Sequence, residues 1–199
     1  MSDQTLLPRW RGFKLLELFS RRGPEDRQSG EFREDYFQWI ADWGFNFVRI
    51  PMDYRLWVPG DDVYEVREDV LQQIDRVVHL GEQYGLHVSL NFHAAPGYCI
   101  NGVPEPFDLW QDPEALDAFR FHWAMFAERY KGVSSDRLSF NLVNEPRIPP
   151  ETGTKALYER VVRAATAAIR EQDAERLIIA DGVRVGTEPL PDLADLGIA

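Results

Sequence analysis

Residues 137–146 read RLSFNLVNEP, a short run rich in β-forming residues that stops at Asn144-Glu145-Pro146. A run of this length, bounded by turn residues, is a buried strand when helical patterns flank it. They do. Upstream, residues 113–130 carry apolar side chains at helical spacing, with Asp112 as the expected N-cap and Pro113 as first helical residue. Downstream, residues 151–172 form an Ala-rich helical stretch leading to a further strand at residues 176–180 (RLIIA). The alternation also runs back towards the N-terminus. Residues 86–92 (LHVSLNF) follow a helix over 67–84 closed by Gly85, and residues 45–50 (FNFVRI), ended by Pro51, follow a helix over 31–43 closed by Gly44. Residues 11–19 (RGFKLLELF) supply the first strand. Five strands alternating with four helices are the signature of βα units around a parallel sheet.

The connections are unequal. Those before strands are short and those after strands long, so the long loops gather at the C-terminal ends of the strands, where α/β folds build their sites. At that rim the sequence places Arg49, then Asn91-Phe92-His93, then Asn144-Glu145-Pro146, then Asp181-Gly182. Each has an ordinary structural use: half of an ion pair for Arg49, a hydrogen-bonded histidine for His93, a turn tripeptide for Asn-Glu-Pro, a turn cap for Asp181. Together they bring a cation, an imidazole, amides and carboxylates to one end of one sheet. A carboxylic acid so placed protonates a leaving oxygen and later deprotonates water, while a second carboxylate can serve as nucleophile.

Composition narrows the partners. The 199 residues carry 33 acidic against 22 basic side chains, a net charge of −11, which disfavours nucleic acid or an acidic membrane surface as partner. The single cysteine, Cys99, excludes an intrachain disulfide framework and a cysteine-rich zinc site, and beside a carboxylate site it reads as a spectator. No apolar run approaches the roughly 18 residues of a membrane span. The N-terminus, MSDQTLLPRW, has no signal-peptide pattern, so a cytoplasmic location is expected unless a signal has been removed from a secreted form.

Four segments carry a family resemblance: RGFKLLELF, GFNFVRIPMDY, LNFHAAPGY and FNLVNEP, in that order over residues 11–146. They resemble glycoside hydrolase family 5, the cellulase family. The resemblance implies a (β/α)8 barrel, of which about the first five βα units are present as a single partial domain over residues 1–199. It implies a retaining hydrolase of a β-linked glucan, cellulase- or endoglucanase-like, using neither metal nor organic cofactor. Glu145 would be the general acid/base, Asn144 would bind the sugar 2-hydroxyl, Arg49 would orient the nucleophile, and His93 would line the subsite at the scissile bond. Lys14 departs from the family pattern, which reads GFN there.

Because sugars present apolar C–H faces, the loop aromatics Tyr54, Trp57, Tyr98 and Trp110 are candidate substrate-binding walls, with anchoring of their own loops as the other use. Trp39, Trp43 and Trp123 have core spacing, and His79, His87 and His122 lie away from the catalytic rim. The family's nucleophile, a Glu after a seventh strand, has no counterpart in these residues; Glu188, in a Pro-flanked loop, is a poor substitute. The expected partner is therefore a β-linked oligo- or polysaccharide. Two alternatives stand beside the β-glucanase. One is an inactive partial barrel that binds glycan weakly and associates with itself through exposed sheet edges. The other is a β-mannanase or β-1,3-glucanase of the same clan.

Overall fold

The computed structural model describes residues 7–20, 33–101, 104–147 and 155–198. One sheet organises them. Strands β1 (Gly12–Lys14), β2 (Phe47–Asp53), β3 (His87–Ala95), β5 (Leu138–Asn141) and β6 (Leu177–Ile179) lie side by side in that order, every pair parallel. Helices α1 (Asp35–Asp42), α2 (Glu68–Gln83), α3 (Pro113–Arg129) and α4 (Lys155–Gln172) fall between them in sequence. Neighbours in sequence are thus neighbours in the sheet, as a barrel winding requires. The additional strand, β4 (Tyr98–Cys99), folds back antiparallel on the end of β3.

The strands separate two kinds of side chain. Val48, Ile50, Val88, Leu90, Leu138, Phe140 and Ile178 are fully buried on the outer face. Helices cover this face: the Trp123 ring of α3 lies 4.3 Å from that of Phe92 and 5.0 Å from that of Phe140. The inner face is polar. One row of register partners reads Lys14, Arg49, Ser89, Ser139, Leu177, and the next reads Pro51, Asn91, Asn141, Ile179.

Several boundaries differ from those read in the sequence. The first strand is three residues, not nine; the chain turns at Leu16–Leu18 and regains the sheet only through a single bridge from Phe19 to Met52. That detour explains why Pro51 does not end β2. The carbonyl of Arg49 accepts from Leu15 N–H and Asp53 N–H donates to Phe19, so Pro51, midway between them, aims its missing N–H at the gap. At β3 the strand continues through His93 to Ala95, beyond the expected stop. Gly44 and Gly85 do follow their helices, in left-handed conformation with φ of 79° and 68°. Asp112 is the N-cap of α3 by position, but its carboxylate accepts from Asp108 N–H (2.7 Å) and not from the helix. The expected helical residues 31–32 and 151–154 lie outside the described residues.

Candidate active site

The site grows from the inner face at the C-terminal ends of the strands. Arg49 reaches from β2 across β3, and its Nε and Nη2 both donate to Asn141 Oδ1, at 3.0 and 2.7 Å. Asn91 Nδ2 donates to the same oxygen at 2.9 Å. The amide nitrogen of Asn141 donates in turn to Asp181 Oδ1 (2.8 Å). Arg49 Nη2 also donates to Asn144 Oδ1 (3.1 Å) and stands 3.6 Å from Asp181 Oδ2. Four strand ends are thereby tied together by one guanidinium and three amides. Burial lowers the Arg49 pKa, and the charges of Asp181 and Glu145 oppose that shift.

Beside this network the backbone of Glu145 is left-handed, φ 47°. A non-glycine residue pays about 1–2 kcal/mol for that conformation, so surrounding contacts must impose it. They are present: Glu145 N–H donates to Asp181 Oδ2 (3.0 Å), and its carbonyl accepts from Tyr98 Oη (2.7 Å).

His93 occupies a bulge. Met52 pairs with Phe92 and Asp53 with Ala94, so His93 is the unmatched residue, and such a bulge redirects a side chain. Its pKa is lowered to about 4, chiefly by burial and further by the nearby charges of Lys14 and Arg49, so the ring is neutral at pH 7. Its Nδ1 and the Asn144 Nδ2 are buried without a well-formed hydrogen bond among the described residues, but the Asn144 side chain is close enough to the His93 ring to oppose the downward shift. Buried polar atoms are rarely left so, and two of them together at a strand rim fit a site that a hydroxylated ligand completes.

A family model described as "Cellulase (glycosyl hydrolase family 5)" matches residues 14–194. The chain belongs to glycosyl hydrolase family 5. Endoglucanase C of Acetivibrio thermocellus is 34% identical over 158 residues, which make up 79% of this chain and 44% of that protein. Cellodextrinase A of Ruminococcus flavefaciens is 35% identical over 121 residues, 60% of this chain and 35% of that one. The family 5 chain thus spans less than half the length of these relatives. A crystal structure of a glycoside hydrolase superposes with a TM-score of 0.88 at 38% identity, over 95% of this chain and 58% of that one. The endoglucanase Cel5A from Thermotoga maritima (TM-score 0.71, 24% identity, 89% of this chain and 52% of that one) shares the fold. The five parallel strands are accordingly part of a (β/α)8 barrel.

Within this family 5 chain, Arg49, His93, Asn144 and Glu145 come together at one rim. The aromatic walls do not. Trp57 is fully buried, its Nε1 donating to His122 Nδ1 (3.3 Å), and Trp110 is packed between Tyr98 and Tyr158. Tyr54 is buried as well, with its hydroxyl on Glu105 (2.7 Å). Burying these large rings anchors the loops and leaves no flat face for a sugar, which corrects the reading of Tyr54, Trp57 and Trp110 as subsite walls. Tyr98 reaches the site, but through its hydroxyl and the Glu145 backbone. Burial raises its pKa to about 12, so it stays a donor.

Asp181 contributes more than a turn cap, and Asn141, absent from the strand-end reading, is the hub. Glu188 is closed off by ion pairs with Lys155 and with Arg184 (3.2 Å). Both cations hold its carboxyl below the usual range, Lys155 the more strongly.

Proposed function

We propose that this chain carries the acid/base side of the active site of a retaining hydrolase acting on a β-linked glucan, endoglucanase-like, with Glu145 as general acid/base. The observation that supports this best is the left-handed Glu145, held by Asp181 and Tyr98 at the rim where Arg49, Asn144 and His93 meet. In this reading Glu145 protonates the departing glycosidic oxygen and then takes the proton of the attacking water. Asn144, its oxygen already engaged by Arg49, has only a loose contact from Nδ2 to His93, which a sugar hydroxyl can replace. Neutral His93 offers a second contact without adding charge. Arg49 supplies the cation that orients the nucleophile.

A retaining mechanism places the nucleophile about 5–5.5 Å from the acid/base. Asp181 is engaged by Asn141 and by Glu145's own N–H, and Glu188 by Lys155 and Arg184, so neither is free for that role. This favours keeping a second reading, in which these residues bind glycan without hydrolysing it. β-Mannan and β-1,3-glucan remain alternative substrates of the same chemistry.

Hydrolysis of cello-oligosaccharides is compared with that of an aryl cellobioside bearing a good leaving group. Glu145→Ala should lose about 10²–10⁴-fold on the former and little of the glycosylation rate on the latter, which needs no protonation. Equal loss on both removes Glu145 from the acid role. Saturable cello-oligosaccharide binding with no hydrolysis by the unmutated protein selects the second reading.

A further inference from the structure

We infer that Tyr98 and Asp181 are positioning residues that clamp the Glu145 peptide from both sides and so aim its carboxyl; the inference deepens the acid/base reading and rests on it. Glu145 lies just beyond β5, where regular strand pairing has ended, and its φ of 47° is one that an unconstrained glutamate leaves. Each of its backbone polar groups is taken by a side chain from a different element. Asp181, just past β6, accepts the N–H on Oδ2. Tyr98, on β4, donates its hydroxyl to the carbonyl. The same hydroxyl accepts from Arg147 N–H (2.8 Å), bridging over Pro146 and fixing the chain on both sides of it.

The clamp is itself held. Asn141 Nδ2 occupies the other Asp181 oxygen, and Tyr158 Oη donates to the Asp181 backbone carbonyl (2.7 Å). The Tyr98 ring stands edge-on to buried Trp110, 4.9 Å between centroids. That contact gives Trp110 a function behind the site in place of the sugar wall it does not form. Both bonds to Glu145 run to its main chain, so the pair sets where the carboxyl points without touching the reacting atoms. Supporting contacts of this kind keep a catalytic group within the narrow geometry proton transfer needs.

The chemistry of Asp181 makes the clamp testable by one atom. Its two oxygens face two N–H donors, and an asparagine there must turn its own NH2 towards one of them. Asp181→Asn therefore breaks one or other of these bonds and the ion pair with Arg49 with almost no change of volume, Asp181→Ala breaks both bonds, and Tyr98→Phe removes only the hydroxyl. Backbone amide exchange, followed by NMR in the full chain, reads each bond. Asp181→Ala, which removes both acceptors, should speed exchange of the Glu145 amide at least tenfold, and Tyr98→Phe that of the Arg147 amide, with the amides of Leu138–Asn141 unchanged. Unchanged reporter amides, or faster exchange all along β5, would overturn the clamp.

Kinetics separate positioning from general support. Each variant should lose about tenfold in kcat on cello-oligosaccharides with KM within twofold, while kcat/KM on an activated aryl cellobioside, which reports glycosylation alone, falls less than twofold. Equal loss on the two substrates, or a loss confined to KM, would overturn the positioning role. If the unmutated protein hydrolyses neither substrate, the second reading, glycan binding without hydrolysis, is selected, and the amide exchange alone decides the clamp.

Discussion

Arg49 and Arg176 are two buried guanidiniums of one sheet, and they end in opposite ways. Arg176, at the start of β6, is fully buried and donates to the backbone carbonyls of Leu138, Tyr130 and Val133 at 2.8–3.0 Å and to Asp173 at 2.7 Å. It also lies over the Phe140 ring, 5.2 Å from the centroid. Its partners are mostly main chain, so the network stitches the short connections before β5 and β6 and goes no further. Arg49, at the other end of the strands, donates to side-chain amides, which pass the network on to Asp181 and Asn144. That network stops at side-chain groups with no well-formed partner among the described residues, Asn91 Oδ1 and the loosely paired Asn144 Nδ2 and His93 Nδ1. A polar network tied to backbone carbonyls supports the fold, even though Arg176 Nε itself is buried without a partner among the described residues. One that ends in open side-chain groups leaves those groups for something that binds.

The largest expected effect tests the closed network. Arg176→Met leaves the Leu138 and Val133 carbonyls and Asp173 Oδ2 without their donor, while the Tyr130 carbonyl keeps Val133 N–H, and losing one partner of a buried charge typically costs about 3–5 kcal/mol. Urea unfolding should show that loss as a lower midpoint, and any binding of cello-oligosaccharide by the still-folded fraction should be unchanged. A loss of binding in that fraction, at full folding, would show that the two networks are coupled and would break the distinction.

Arg49→Met should separate the two outcomes the other way. Two of its three acceptors keep other donors, Asn141 Oδ1 keeping Asn91 and Asp181 keeping Asn141 and Glu145, and buried Asn144 Oδ1 loses its Arg49 donor. A cost of about 1–2 kcal/mol is expected for the lost hydrogen bonds, well short of the Arg176 variant. Activity, in contrast, should fall about 10²–10³-fold, the scale for removing one preorganised donor from a polar active site. Equal unfolding midpoints for the two arginine variants would show that Arg49 is a fold residue after all.

Both networks have traces in the sequence, unequally clear. The strands, their order and the rim residues Arg49, His93, Asn144 and Glu145 follow from period and from loop length, because burial on one face and turn chemistry are local properties. Asn141 was legible too: LHVSLNF and RLSFNLV alternate, with polar residues at 89, 91, 139 and 141 facing the inner side. Reading only the last residue of each strand passes over it. The bulge at His93 and the left-handed Glu145 have no such trace. Each arises from pairing between segments far apart in the chain, and nothing in the residue types calls for either. The aromatic loops misled for a related reason. A tryptophan in a loop has the same composition signal whether it lines a cleft or fills the space beneath it, and here Trp57 and Trp110 fill.

Each network also keeps a neutral histidine, which gives the smallest and sharpest test. His87 donates from Nδ1 to the Asp136 carbonyl (3.0 Å) and, neutral, accepts at Nε2 from Ser139 Oγ (2.8 Å), near Arg176; His93 stands near Arg49 and Lys14. In both, burial is the main cause of a pKa lowered to about 4; the nearby arginines add to it. The unfolded chain binds a proton near pH 6.5 while the folded chain does not until about pH 4. Stability therefore falls as pH drops through that window and is fully present above it, the reverse of a histidine held by a carboxylate. For His87, which is almost wholly buried, the loss is at most about 3 kcal/mol. Surface carboxylates held low by their arginines, such as Glu68 and Asp195, lose their contribution only below their own ordinary values of 4.5 and 3.8. Urea midpoints at pH 7, 5.5 and 4.5 should thus decline, and His87→Asn should flatten the decline. A bound cello-oligosaccharide should steepen the decline through His93, because its loosely paired Nδ1 would then face a hydroxyl in a still drier site. If ligand changes the slope in His93→Asn as much as in the unmutated protein, the open end of the Arg49 network is not where the sugar sits.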